Sequence, residues 1–362
     1  MKIIFQILLD ALSFSIRNLL IRKGTKKVLI ISFKLIGDTT FTFPAVELIG
    51  TKFKDYEIYI FCFEDFEEIY KLKFQDIHYI TFDKSKIDLN SRVPDYEVIK
   101  SVRKINPSFL FDFTSGYWAA FVSMFSGAKI SAGFNSRYFK NFYSHFMVKR
   151  SKPHLADMFA DVVKLISPDE GAVIKKEFPS DYTKNSRILI HPFAGWKAKE
   201  WNLNKFIRLA AELNIDYRVE FLVEKNFIGS DTVVELENKG IKINQTESIA
   251  DLIKEVKDCS VFISNDSGPL YIANVLGKPT FSIYGPTNPE FSLPFGKNHR
   301  YVRKTIECSP KPGQQYCFTY GGRFCNTFDC MNLLEFNEVK SKVMSFFEEL
   351  DLERKVDNAG RI

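Results

Sequence analysis

Residues 260–290 read SVFISNDSGPLYIANVLGKPTFSIYGPTNPE, and this stretch decides the fold. An apolar, β-branched run (260–265) predicts a buried strand, and Asn265, Asp266 and Ser267 mark its polar exit. Gly268 and Pro269 then open a helix over 267–276, with Pro269 in the first turn, where a missing N–H is harmless. Gly277 stops that helix, and PTFSIYG (279–285) is the next strand. Strand, helix and strand in so short a span make a βαβ unit with parallel strands. Ligands of such units bind at the carboxyl ends of the strands.

The same alternation extends outward in both directions. Upstream, strands are expected at 27–33, 56–63, 77–82, 109–113 and 129–134, with helices at 39–51, 64–72, 95–104, 116–126 and 154–166. A Pro-, Asp-, Glu- and Lys-rich stretch over 167–186 reads as a linker. The series then restarts with strands at 187–193, 217–223, 241–243, 260–265 and 279–285. Helices near 203–213, 248–258 and 267–276 separate them, and a last helix covers 336–350. The expected organisation is an α/β protein of two Rossmann-like domains facing across a cleft. Its parts are an amphipathic helix (1–24), a first domain (25–166), the linker (167–186), a second domain (187–335) and a C-terminal helix and tail (336–362).

Composition agrees. The chain has 362 residues, 45% of them hydrophobic and 26% charged, which is globular usage and excludes disorder. A mean hydropathy of −0.12 excludes a polytopic membrane protein. The net charge of +6 is unevenly placed. Residues 1–30 carry six basic side chains and one acid, and residues 113–156 carry six basic side chains and none. Two positive patches on an otherwise acidic chain point to an anionic partner or surface. The opening helix has a narrow polar stripe, Lys2, Gln6, Asp10, Ser13 and Arg17, with apolar residues around it. Its wide apolar face must pack on protein or lie in a membrane interface.

No glycine-rich dinucleotide fingerprint follows the first strand, and no P-loop, HExxH or Asp-x-Asp occurs. Three segments could carry chemistry. In KLIGDTTFTFPA (34–45), Asp38 reads either as the cap of a helix beginning near Thr39 or as a general base at a strand's carboxyl end. In HPFAGWKAKEW (191–201), Lys197 and Lys199 follow a strand and suit a diphosphate, or simply a solvated loop. In the segment quoted first, the N–H groups of the helix after Ser267 form an anion site, with Asp266 as plain cap the alternative. Gly285, Pro286 and Thr287 end the strand beside it.

Taken together and in order, these segments resemble glycosyltransferase family 9, the heptosyltransferases of lipopolysaccharide core assembly. The matching residues are Leu35, Gly37, Asp38, Pro44 and Ala45, then His191, Pro192, Ala194, Gly195, Trp196, Lys199 and Trp201. The last group is Asn265, Asp266, Ser267, Gly268 and Pro269, with Gly277, Pro279, Gly285, Pro286 and Thr287. The resemblance implies a GT-B fold and inverting transfer, without metal or other cofactor, from a nucleotide-diphospho-sugar such as ADP-heptose. It implies Asp38 as catalytic base, Lys199 on the diphosphate and sugar, Asp266 on the donor sugar's hydroxyls, and the amides of Ser267 and Gly268 on phosphate. Ala194, Gly195 and Thr287 complete the implied donor site. Tyr271 stands where the family usually has a histidine, and Phe193 where it commonly has a small residue; both bear on which sugar is carried.

The acid-free stretch 113–156 lies in the first domain, where family members bind an acidic lipid-linked acceptor, so Arg137 and Lys140 are expected to hold its anionic groups. An enzyme of this kind would sit in the cytoplasm, peripherally on the inner face of the cytoplasmic membrane, without contact with nucleic acid. Rival readings are a GT-B-fold sugar-nucleotide epimerase and a degenerate, non-catalytic sugar-nucleotide-binding module. Cys62 and Cys259 read as buried thiols. The spacing of Cys308, Cys317, Cys325 and Cys330 lacks the paired knuckles of common zinc sites, so free thiols or one redox-labile pair are expected and metal is not.

Overall fold

The computed structural model describes residues 2–91, 94–135, 140–148, 154–168, 176–182, 187–317 and 322–354. It divides into two compact units, Met1–Arg150 with Leu155–Lys175, and Ser151–His154 with Lys176–Ile362.

The first unit holds a parallel sheet of six strands: β1 (Thr25–Ile31), β2 (Glu57–Phe63), β3 (His78–Phe82), β4 (Pro107–Asp112), β5 (Ile130–Asn135) and β6 (His145–Val148). Their order is β3-β2-β1-β4-β5-β6, so β1 pairs with both β2 and β4. Val28, Leu29, Ile30 and Ile31 are all fully buried, as expected of a central parallel strand covered on both faces. The second unit repeats the plan with β7 (Arg187–His191), β8 (Arg218–Glu224), β9 (Lys242–Thr246), β10 (Val261–Asn265), β11 (Thr280–Tyr284) and β12 (His299–Arg303). Its order, β12-β11-β10-β7-β8-β9, places β10 between β11 and β7. The helix Phe336–Glu349 closes this unit by burying Phe336, Val339, Val343, Phe346 and Phe347 in the same core as Trp201 and Phe206.

The sequence expectation was five strands in each sheet; β6 and β12 are additional. Both are edge strands with exposed positions and charged or polar residues, so neither shows the continuous apolar run of a central strand. The helix Ser230–Asn238 was also unanticipated. The helix expected over 39–51 forms as two, α2 (Ile36–Phe41) and Phe43–Lys52. They part at Thr42, two residues before Pro44, which has no N–H to continue the ladder.

The opening helix, α1 (Lys2–Leu20), packs on the first unit with the exposed part of its apolar face turned away from it. The described part of the polar stripe, from Asp10 to Arg17, turns inward. Ser13 and Arg17 are buried at 3% and 9% exposure, and Asn141 donates its side-chain amide to the Asp10 carbonyl. Among the described residues, no helix is long and apolar enough to cross a membrane.

Candidate functional site

In the second unit, three neighbouring strands end together. β7 leads into the loop bearing Lys199, β10 ends at Asn265 before Asp266, and β11 leads to Thr287. Because β10 lies between the other two, residues far apart in sequence meet at the carboxyl end of the sheet. The Lys199 ammonium donates to Asp266 Oδ2 at 2.6 Å, and the Thr287 hydroxyl donates to the same oxygen at 2.7 Å. Tyr271 donates to Oδ1 at 2.5 Å. Burial alone would raise the Asp266 carboxyl, but the adjacent Lys199 charge and the three hydrogen bonds outweigh it and hold the group below the usual carboxylate range. Asp266 is therefore a buried carboxylate, not a helix cap.

Asn265 fixes the loop that delivers Lys199. Its side chain accepts the Trp201 N–H at 3.0 Å and donates to the Pro192 carbonyl at 2.6 Å. The Trp201 indole N–H in turn donates to the Leu334 carbonyl at 3.1 Å. His191, at the end of β7, is buried beside the Leu222 carbonyl, to which its Nδ1 lies at 3.0 Å. Burial pushes its imidazole down to about 4, so it is neutral and donates from Nδ1.

The helix Gly268–Val275 begins beside Asp266, with Ser267 as its N-cap residue. No side chain caps its first turn, and the Ser267 hydroxyl is buried with no hydrogen-bond partner among the described residues. A buried, unpaired hydroxyl next to uncapped helical N–H groups is an arrangement that can receive an anion. Gly195 is exposed with open space around it, and the Ala194 N–H is engaged by Glu200 at 3.3 Å. Gly277 has φ +73° and lies against the backbone of Pro179, which leaves no room for a side chain.

The sequence did not single out Arg323. Its guanidinium lies 5.9 Å from the Trp196 ring, whose centroid is 4.2 Å from the Lys199 ammonium, so the ring carries two cations. The signal was invisible because Arg323 lies in a Cys-rich loop more than a hundred positions away. Cys308, Cys317, Cys325 and Cys330 line one cavity of that loop with Ala198, Gly285 and Pro286. None of the four is in a disulfide, nor are the buried Cys62 and Cys259. Among the described residues, no group of three or more His, Cys, Asp or Glu side chains is placed to hold a metal ion.

In the first unit, Asp38 sits in the first turn of α2, not at its cap, because the helix starts at Ile36 and Leu35 is the cap residue. Its exposed carboxylate makes no hydrogen bond or ion pair among the described residues. Beside it, β1 and β4 are bolted together at their carboxyl ends. The Phe33 N–H donates to the Thr114 hydroxyl at 2.8 Å, and Lys34 donates to the Thr114 carbonyl at 3.0 Å. The sequence also passed over Asp112, the last residue of β4. Fully buried, it accepts the N–H groups of Thr114 and Ser115 and the Tyr143 hydroxyl. Burial pushes its carboxyl up to about 6. A lone acid inside the apolar run FLFDF was its one sequence signal. Arg137 lies outside the described residues; Lys140 opens the single turn Lys140–Phe142, and its side chain lies outside them too.

Comparison with known proteins converges on one family. Residues 97–319 match the family model of glycosyltransferase family 9 (heptosyltransferase). The chain is 26% identical over 302 residues to lipooligosaccharide heptosyltransferase 2 of Campylobacter jejuni, covering 76% of this chain and 86% of that one. It is 25% identical over 319 residues to lipopolysaccharide heptosyltransferase 1 of Campylobacter coli, covering 79% and 90%. Among solved structures, a glycosyl transferase family 9 protein of Veillonella parvula superposes with a TM-score of 0.71 at 16% identity, over 91% of this chain and 99% of that one. The E. coli ADP-heptose LPS heptosyltransferase II superposes with a TM-score of 0.70 at 14% identity, over 90% and 99%. The two six-stranded units are thus the two halves of a GT-B fold, and the chain belongs to glycosyltransferase family 9 (heptosyltransferase), a family of glycosyltransferases.

Proposed function

We propose that this glycosyltransferase moves a heptose, with inversion and without metal, from a nucleotide-diphospho-sugar such as ADP-heptose to a lipopolysaccharide-core or related surface-glycan acceptor. The observation that carries the proposal is the cluster of Lys199, Thr287 and Tyr271 on Asp266, beside the unpaired Ser267 hydroxyl and an uncapped helix. The names of the curated relatives support a heptose and a lipopolysaccharide or lipooligosaccharide product.

The donor's diphosphate sits against Lys199 and the N–H groups of Ser267 and Gly268, with Ala194, Gly195 and Thr287 around it. Asp266 serves two ends. Three of its roughly four lone-pair sites hold Lys199, Thr287 and Tyr271 in place, and the remaining one accepts a donor-sugar hydroxyl. The Asp38 carboxylate takes the proton of the acceptor hydroxyl as that oxygen attacks the anomeric carbon. The carbon–oxygen bond to the diphosphate breaks on the opposite face, and the cationic side chain and helix N–H groups absorb the leaving group's charge. No Asp-x-Asp pair exists to carry a required metal. Arg137 and Lys140 hold anionic groups of the acceptor, whose lipid places the reaction on the inner face of the cytoplasmic membrane.

The deciding experiment incubates the protein with ADP-heptose and a heptose-deficient core acceptor in EDTA and follows the product by mass spectrometry and anomeric NMR. One added heptose of inverted configuration is expected. No transfer from ADP-heptose, with transfer from another nucleotide sugar, would replace the donor. Loss of activity restored only by a divalent ion would refute the metal-free mechanism.

A further inference from the structure

We infer that helix α1 is an in-plane membrane anchor, built inside out so that its apolar face is left for lipid. The helix presents the described part of its polar stripe, from Asp10 to Arg17, to the protein. Ser13 and Arg17 are buried, Ile16 packs on the cluster of Ala120, Met124, Phe142 and Tyr143, and Asn141 holds the Asp10 carbonyl. Among the described side chains, the positions facing outward are 7, 8, 11, 12, 14, 15, 18 and 19, and none of these is charged. Among them Leu8, Leu12 and Leu19 are 63%, 58% and 86% exposed, and Ile7 and Phe14 are more than half exposed. A surface helix of a protein surrounded only by water has the opposite arrangement.

Charge identifies what covers this face. One residue after Ile21 comes an exposed basic run, Arg22, Lys23 and Lys26. The Arg22 N–H donates to the Gly127 carbonyl and its guanidinium to the Arg103 carbonyl, while Asn106 donates to the Lys23 carbonyl. These bonds draw the exposed Lys104 and Lys129 to the same end of α1. From residue 98 to residue 135 the sole acid is Asp112, which is buried. An uncharged apolar face with a cationic end and no exposed acid beside it complements the acyl boundary and head groups of an anionic leaflet. The same cations repel a second copy of the helix, which disfavours self-association through this face. At 19 residues, with Asp10 and Arg17 on its other side, α1 lies along the surface and does not span it. The inference rests on the reading of the acceptor as lipid-linked only for its biological purpose; the binding itself is independent of catalysis.

The test is flotation of the full-length protein with vesicles of equimolar phosphatidylcholine and phosphatidylglycerol, against vesicles of phosphatidylcholine alone, with no donor or acceptor present. The protein should float with the anionic vesicles and at least about tenfold less with the neutral ones. Leu8→Glu, Leu12→Glu, Leu19→Glu together should abolish flotation while transfer to a soluble, delipidated acceptor is retained. Arg22→Glu, Lys23→Glu, Lys26→Glu should remove the preference for anionic lipid. Failure of the wild type to float, or equal flotation of the triple-leucine variant, would overturn the anchor. A wild-type dimer that the leucine substitutions convert to monomer, with no flotation, would assign the face to a second copy instead. Flotation without transfer to any core acceptor would refute the proposed reaction and leave the anchor standing.

Discussion

Lys199 and Asp266, 67 positions apart in sequence, form a 2.6 Å ion pair in which the lysine is 13% exposed and the carboxylate 4%. On the proposed function the pair has a structural and a chemical task at once. The carboxylate aims the ammonium, and the ammonium keeps the buried carboxylate charged.

Removing one partner should therefore do two things. Lys199→Ala should weaken nucleotide-sugar binding and also destabilise the second unit by roughly 3–5 kcal/mol, because an unpaired carboxylate is left buried. Adding Asp266→Asn should recover much of the stability and none of the binding. Denaturant midpoints and donor titrations on both variants separate these effects; equal stability of the single and double variants would show that the pair is not a coupled unit.

Among the described residues, Asp38 has no hydrogen-bond or ion-pair partner to lose. Asp38→Asn should cut turnover by roughly 10²–10⁴ if the carboxylate is the general base, with donor affinity and melting temperature close to wild type. Near-normal turnover would remove it from the chemistry, and a fall in stability would show a structural task that the geometry does not reveal.

Asp112 makes the first unit pH-sensitive. Its folded value of about 6 lies above the ordinary carboxylate value of 3.8. The stability it contributes is thus complete below pH 4 and is lost as pH rises through 6, a difference of roughly 3 kcal/mol. Asp112→Asn keeps acceptors for Thr114 and Ser115 but cannot ionise. Relative to wild type it should gain stability at pH 7.5 and little at pH 4.5. His191 and His299, both lowered to about 4 by burial, act in the opposite direction in the second unit and cancel in this comparison. Parallel wild-type and variant profiles would clear Asp112 of the effect.

The cavity thiols should differ in reactivity. Burial would raise Cys325, but N–H groups of Phe328 and Thr327 directed at its sulfur outweigh this and bring it below the ordinary thiol value. Burial pushes Cys330 in the same cavity up to about 12. Iodoacetamide at neutral pH should label Cys325 well before Cys330, Cys62 or Cys259, as read by peptide mass spectrometry. Labelling of Cys330 first would contradict the hydrogen-bonding assignment.

Sequence by itself determined the two βα series, since a strand covered on both faces must be a continuous apolar run and a helix packed on it must repeat near 3.6 residues. It also placed Asp38, Lys199, Asp266 and Ser267 at strand exits and helix starts, because those points are written in local turn chemistry; their suggested roles came from the family resemblance. Edge strands escaped it, for their partly solvated faces erase the apolar run in β6 and β12. Only tertiary structure decided that Lys199, Tyr271 and Thr287 all act on Asp266, because the strand order β11-β10-β7 brings those loops together. It alone placed Arg323 at Trp196 and showed Asp112 buried under Tyr143. It alone turned the polar stripe of α1 inward from Asp10 to Arg17. The pattern of a helix states which residues share a face; which face meets the protein depends on what the rest of the chain offers, here the side chain of Asn141 and the apolar cluster around Phe142.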